Sequence, residues 1–166
     1  MANHVMFRSD NLAGTTQGKY LVSIRIDADI DNGMLVAVGA YETGSREVKQ
    51  CTSIAATTEI GDIAVLGSEE VNKEVSFDTV NGFTNKKGAI ARGYVLEHGD
   101  CFSVTAGAFS TIPTVGATIY AEVGKNTMTN AADDGAASGK VNNVKIGKCE
   151  AIEKDGATTW YVIRVA

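Results

Sequence analysis

The sequence has little proline and little histidine, and it has no long apolar run. The single proline is Pro113, whereas the 18 glycines are dispersed at the ends of short apolar runs, which is typical of many turns and not of a linker. No run approaches the ~20 apolar residues that a membrane-spanning helix needs, so we expect no membrane partner. The opening MANHVMFRSDN lacks the apolar core of a signal peptide, so we expect no export signal.

Basic charge is also scarce. The chain has 15 lysines and arginines against 20 aspartates and glutamates, for a formal net charge of -5. The basic residues are spread singly, and only Lys86 and Lys87 are adjacent. A surface that binds nucleic acid needs a cationic stripe to contact the phosphates. We therefore expect no nucleic-acid partner.

Paired cysteines are absent as well. Cys51, Cys101 and Cys149 are odd in number and form no CxxC pair, whereas a secreted disulfide framework normally has an even count. Each lies in or beside a predicted strand, which favours buried free thiols. This pattern indicates folding in a reducing compartment such as a cytoplasm.

Helical periodicity is scarce, whereas strand patterns are common. The runs are short and are bounded by Gly, Asn, Asp or Ser, as strands usually are. The predicted strands span residues 19–27, 33–41, 46–53, 62–68, 89–96, 100–106, 117–123, 144–153 and 158–166. The pattern predicts an all-β fold, a small β-barrel or sandwich of short antiparallel strands.

Turn residues lie between these strands. The Asp-Asn-Gly at 31–33 predicts a connection between the first two strands, because Asn-Gly accepts positive φ at both turn positions. The Asp-Gly in KDGA, 154–157, predicts a hairpin between the last two. Four similar short segments have a glycine just ahead of a strand, which predicts sharp turns there. These glycines are Gly61, Gly99, Gly116 and Gly147.

Three segments are weakly patterned. Residues 1–18 are predicted to be an extended N-terminal arm, ahead of a single β-rich domain over residues 19–166. Residues 124–143 are small and polar, which predicts an exposed loop. Residues 68–88 give mixed signals, with one short helical turn predicted near Glu69 to Lys73.

One acidic stretch resembles the start of a calcium loop. Asp27, Asp29 and Asp31 alternate, as the first ligands of a helix-loop-helix calcium site do. However, the sixth position is Asn32 instead of glycine, and the twelfth is Val38 instead of glutamate. A solvated hairpin turn is the favoured interpretation.

Other candidates for chemistry are weak. His98 and Cys101 could bind zinc only if two more ligands converged on them, and as a catalytic dyad they lie across a turn where side chains rarely align. Asp133 and Asp134 favour an exposed loop tip over a cation site. No Gly-x-Ser-x-Gly motif is present. We expect no metal, no cofactor and no enzymatic activity.

Trp160 and Tyr161 lie in the last predicted strand and point to opposite faces. They are either core residues or anchors of an interface. If the strand is half-buried, one of them faces outward. An outward aromatic favours a protein contact over a sugar site, because sugar platforms usually need two or more coplanar rings.

Several sequence segments, taken in order along the chain, resemble those of the small capsid decoration proteins of tailed bacteriophages. These proteins are also called auxiliary or cement head proteins. The segments are NLAGTTQG (11–18), DADIDNGMLVAVG (27–39), TTEIGDIAVLGSEEV (57–71), FTNKKGAIARGYVLEHGDCFSVT (83–105) and the closing PTVGATIYAE…IGKCEAIEKDGATTWYVIRVA. The resemblance covers nearly the whole chain. Its motifs are turns and strands and include no catalytic signature.

The resemblance implies a structural virion protein that folds in the host cytoplasm, binds the major capsid protein on the capsid exterior and reinforces the lattice. It implies a homo-oligomer, with a trimer favoured, and no cofactor or turnover. An alternative is a particle-displayed module that binds carbohydrate or a host surface, and a third hypothesis is a small hydrolase. The contact residues expected from the arm and the last hairpin are Asn11, Leu12, Thr15, Thr16, Trp160 and Tyr161.

Overall fold

The computed structural model describes residues 4–70, 83–136 and 139–166. Within them the fold is nearly all β, as predicted. The strands are β1 (Phe7–Asn11), β2 (Leu21–Arg25), β3 (Leu35–Tyr41), β4 (Val48–Thr52), β5 (Ile63–Leu66), β6 (Ile90–Val95), β7 (Cys101–Val104), β8 (Thr118–Ala121), β9 (Met128–Thr129), β10 (Val144–Asp155) and β11 (Thr158–Val165). The short helices are α1 (Ala13–Thr16) and three 3-10 turns, Gly18–Tyr20, Ile60–Asp62 and Ala106–Ala108.

The strands form a closed barrel and a separate sheet. The barrel runs in the order β2-β4-β3-β5-β6, and the six-stranded sheet runs β1-β7-β11-β10-β8-β9. The pairs are antiparallel except for β2 and β4, which run parallel. The predicted β-barrel is confirmed, and nine of the strands coincide with predicted ones. β1 and the two-residue β9 were not predicted.

One hydrophobic core joins the two sheets. Leu35 and Ile63 from the barrel and Phe102 and Ile163 from the sheet are fully buried in the same cluster. A second cluster fills the barrel interior, where Ile24 is fully buried. Because the larger cluster takes side chains from both sheets, it holds them together by burying apolar surface.

The Asp-Asn-Gly connection does not form a hairpin, so this expectation is wrong. β2 pairs with β4 and β6, and β3 pairs with β4 and β5. Asn32 is instead buried, with its amide Nδ2 donating to the Ser68 carbonyl at 2.9 Å and its Oδ1 accepting from the Ser68 N–H at 3.0 Å. Gly33 still has a positive φ of 81°. The local turn chemistry is therefore present, while closure of the barrel decides which strands pair.

The last hairpin forms as predicted. Asp155 pairs with Thr158 across a two-residue connection that begins with Gly156, whose φ is 58°. The helical turn predicted for Glu69 to Lys73 lies mostly outside the described residues.

The extended N-terminal arm is not confirmed. β1 is the edge strand of the six-stranded sheet and pairs with β7. Val5 and Leu12, only 2% and 1% exposed, belong to the core that joins the sheets. The main-chain N–H of Ala13 donates to the buried Asp100 carboxylate at 2.8 Å. Residues 4–18 are thus packed into the fold because their apolar side chains complete its core.

Candidate protein-binding face

The outer surface of the six-stranded sheet carries Trp160, the outward-pointing and half-buried aromatic residue of β11. Side chains alternate along the strand, so Tyr161, Ile163 and Val165 point into the core while Trp160 and Arg164 point outward. We call this outer surface the Trp160 face. Its residues are Arg8, Asp10, Asn11, Ser103, Glu150, Glu153, Trp160, Val162 and Arg164.

Arg8 of β1 stacks on the Trp160 ring. The guanidinium carbon lies 5.1 Å from the ring centroid, within the range of a cation–π contact. The Arg8 Nη2 donates to Glu153 Oε2 at 2.8 Å, and its Nε donates to Asp10 Oδ1 at 2.7 Å. The hydrogen bond that Arg8 donates to Glu153 raises the pKa of Arg8, burial opposes this shift, and Asp10 adds to it. The cation is therefore held over the ring by carboxylates from two strands.

The indole N–H of Trp160 has no acceptor among the described residues. Its Nε1 is buried, and it makes no hydrogen bond to any residue that the structure describes. A buried donor without a partner costs about 1–3 kcal/mol. Tryptophan and arginine are also the residue types that most often dominate the energy of protein interfaces. The buried Nε1 is out of a partner's reach, so this arrangement suits a protein contact made through the exposed part of the Trp160 side chain and the Arg8 guanidinium.

A second ion pair lies further along the face. Arg164 Nε donates to Glu150 Oε2 at 2.8 Å, and its Nη1 donates to the Gly99 carbonyl at 3.5 Å. With Arg8, Asp10 and Glu153, the face carries two guanidinium groups and three carboxylates. Its charges are therefore nearly balanced, which favours a partner surface without strong charge of either sign.

Two of the six predicted contact residues belong to this sheet surface. Asn11 pairs with Cys101, which pairs with Arg164, so Asn11 lies at the end of the sheet away from Trp160. Asn11 is exposed and Trp160 is half-buried. The structure thus brings the N-terminal segment and the last strand onto one surface, with β7 between them.

The other predicted residues lie elsewhere. Thr15 and Thr16 are exposed on α1, where their hydroxyls donate to the carbonyls of Leu12 and Ala13. Leu12 and Tyr161 are core residues, and the Tyr161 ring meets Phe109 edge-on with centroids 5.4 Å apart. In this arrangement a partner does not reach either core side chain.

The sequence did not lead us to predict Arg8, which stacks on the Trp160 ring in the Trp160 face. A weak signal for it was present, because Val5 and Phe7 alternate with His4, Met6 and Arg8, of which only Met6 is apolar. That alternation is typical of a half-buried strand and would place Arg8 on the outer face.

The acidic stretch after β2 does not converge on one point. Asp29 accepts from the Lys87 N–H at 2.9 Å and from Lys86 Nζ at 3.0 Å, and these contacts lower the pKa of its carboxyl. Asp31 turns to the N-terminal segment instead and accepts from the Val5 N–H at 3.0 Å. Within residues 4–70, 83–136 and 139–166, no three His, Cys, Asp or Glu side chains are grouped to hold a metal ion.

The thiols are poor nucleophiles in the folded protein. All three are free, and burial raises the pKa of each one. For Cys51, burial together with the negative charge of Asp27 raises the pKa to about 12. The neutral thiol reacts far more slowly than the thiolate, so the raised pKa of Cys101 disfavours its use as a nucleophile.

We expect native Cys51 to be alkylated by iodoacetamide at pH 8 at least ~100-fold more slowly than in the unfolded chain, because its thiolate is so sparse. The rate should rise as the pH approaches the raised pKa. Mass spectrometry of the protein alkylated with and without guanidinium measures both rates. Equal rates at pH 8 would show that burial does not suppress the thiolate.

A shallow cleft lies on the barrel, away from the Trp160 face, and has a volume of about 430 Å³. Its lining residues are Leu21, Val22, Ser23, Ser68, Glu69, Ile90, Ala91 and Arg92. Arg92 and Glu69 pair across it at 3.5 Å. Because these two charges satisfy each other, the cleft offers no unpaired charge to a ligand.

Comparison with the known protein families, with curated proteins and with solved structures finds no match for this chain. None of the helices in the described part of the chain is long and apolar enough to cross a membrane. The Trp160 face and the sequence resemblance are therefore the observations on which a function can be argued.

Proposed function

We propose that this protein is a capsid decoration protein of a tailed bacteriophage, which binds the outer surface of the capsid and reinforces its lattice. The segments along the chain that resemble such proteins suggest this class. The observation that carries the proposal is the Trp160 face, where an arginine stacks on a half-buried tryptophan on an outer sheet surface. In this proposal the Trp160 face contacts the major capsid protein.

Several properties support this role. The raised pKa values keep the thiols neutral and unreactive, which suits a protein that folds in the host cytoplasm and then persists in a virion. The net charge of -5 favours solubility before assembly. Binding as a homo-oligomer, with a trimer favoured, multiplies weak contacts across the lattice.

Carbohydrate binding is the alternative, and the geometry of Trp160 favours it less. A sugar ring stacks on a free aromatic face, whereas the Arg8 guanidinium occupies one face of this indole. Glycan binding without capsid binding would be the result that selects this alternative.

The test is cosedimentation with shells assembled from the major capsid protein of the same phage. We expect the wild-type protein to saturate the shells and Trp160→Ala to bind at least ~30-fold more weakly, because truncation of a central aromatic anchor typically costs 2 kcal/mol or more. Thermal unfolding of the variant checks that it remains folded.

Tyr41→Ala is the matched control. Tyr41 is an aromatic residue on the barrel and is 55% exposed, so its loss should leave shell binding within about twofold of wild type. Absence of wild-type protein from the shell pellet would refute the proposed function. Equal losses for the two variants would refute the assignment to the Trp160 face.

A further inference from the structure

One edge of the last hairpin lacks a strand neighbour. β11 pairs with β10 along the hairpin to Asp155, whereas β8 pairs with β10 only between Val144 and Lys148. The N–H of Gly116 still donates to the Cys149 carbonyl at 2.7 Å. Beyond Cys149, no strand in the described part of the chain pairs with this edge of β10.

The backbone alternation shows which groups point to this edge. Cys149 directs its N–H and C=O toward the β8 side, where it bonds Ala117 and Gly116. A bulge between Cys149 and Ala151 shifts the alternation by one residue. From there to the turn, Ile152 and Lys154 direct their N–H and C=O away from β11. These groups make no main-chain hydrogen bond within the described residues.

Exposed apolar side chains flank the same edge. Ile152 is 38% exposed, and Ile112 and Val115 are 56% and 60% exposed. Ile112 and Val115 lie in the loop that ends at Gly116, which is bonded to Cys149. A strand edge with open main-chain groups and apolar neighbours is the surface to which proteins add an extended segment of a partner.

We propose that this edge of β10 binds an extended segment of the capsid shell protein as an additional strand, an inference that rests on the proposed function. Ile152 and Lys154 supply the main-chain hydrogen bonds, and alternate apolar side chains of the segment pack on Ile112 and Val115.

Charge favours the shell protein over a second copy of this chain. Glu150 and Glu153 of the hairpin are paired with Arg164 and Arg8, which leaves Lys154 and Asp155 balanced at its end. The charge that a second copy would bring is therefore its net charge of -5. Two copies paired along this edge would bring like charges together, which opposes association. The added segment is therefore apolar at alternate positions and has no net negative charge.

Amide hydrogen exchange on shell-bound protein tests this contact, with mass spectrometry resolving single residues. We expect the amides of Ile152 and Lys154 to exchange at least ~10-fold more slowly on shells than in solution. The amides of Ala151 and Glu153, which face β11, are the internal controls and should be protected in both states.

Two further variants test whether shell binding needs this edge of β10 when the protein remains folded. Ile152→Pro removes the outward N–H while leaving the bonds to β11, so it should weaken shell binding at least ~10-fold. If this variant unfolds, Ile112→Lys with Val115→Lys tests the apolar flank and should weaken binding to a similar extent. Ile90→Lys is the matched control, because Ile90 is 52% exposed on the barrel, and it should bind like wild type.

The possible results distinguish the strand addition from the proposed function. Shell binding without slower exchange at Ile152 and Lys154 overturns the strand addition and leaves the proposed function standing. Absence of shell binding overturns both. Protection of these two amides that grows with protein concentration, without shells, would assign the edge to a second copy and overturn the shell protein as its occupant.

Discussion

Removal of residues 2–18 is expected to leave a chain that does not fold stably. The deletion takes away β1, which covers one edge of the six-stranded sheet, together with Val5 and Leu12 of the shared core. It also leaves the buried Asp100 carboxylate without the N–H of Ala13. Loss of two buried aliphatic side chains alone costs about 4–8 kcal/mol, which is comparable with the whole stability of a domain. Circular dichroism and thermal unfolding measure the effect.

Single substitutions distinguish the effect of losing core contacts on stability from the effect of shortening the chain. Leu12→Ala should lower the free energy of unfolding by about 2–5 kcal/mol, because Leu12 is buried in the core. Asn11→Ala, at the neighbouring exposed position, should change it by less than about 0.5 kcal/mol. A truncated chain with a wild-type unfolding transition would show instead that residues 2–18 are a dispensable arm.

Gly147→Ala is expected to destabilise the protein by at least about 3 kcal/mol or to prevent folding. A Cβ at Gly147 would lie 2.0 Å from the Arg164 carbonyl oxygen and 2.8 Å from its carbonyl carbon. Both atoms belong to the backbone of β11, so no side chain can rotate to relieve the clash. Chemical denaturation of the variant measures the loss.

Gly61→Ala is the control for this prediction. A Cβ at Gly61 would meet no atom within 4 Å, and its φ lies outside the positive range. The substitution should therefore change the free energy of unfolding by no more than about 1 kcal/mol. Similar losses for the two variants would contradict the close approach of β10 and β11 at Gly147.

The strands could be predicted because alternation reports burial directly. In β11, Tyr161, Ile163 and Val165 alternate with outward residues, which is the arrangement expected for a half-buried strand that turns one of Trp160 and Tyr161 outward. The role of the glycines was harder to predict. Gly99 and Gly116 have positive φ in turns, as expected, whereas Gly147 lies within β10 because the backbone of β11 comes close to it.

Strand pairing could not be predicted from the turns. Asn32 and Gly33 have the composition of a hairpin turn, yet β2 pairs with β4 and β6 because the barrel has to close. Turn residues determine the local backbone, whereas strand partners depend on contacts between distant parts of the chain.

Only part of the candidate site could be identified from the sequence. Trp160 stood out as one of two adjacent aromatic residues in an apolar strand, but Arg8 lies near the other end of the chain in a short edge strand. Only one face of β1 is buried, so its pattern is weak beside the polar residues Ser9 and Asp10. The contact between Arg8 and Trp160 arises from the order β1-β7-β11, which the alternation pattern does not contain.

A cryo-EM map of capsid shells saturated with the protein would test most directly how it binds. We predict that the Trp160 face turns toward the shell, with atoms of the capsid protein in van der Waals contact with the Trp160 ring and the Arg8 guanidinium. A map in which the six-stranded sheet turns this face to solvent, while another surface holds the shell, would contradict the account.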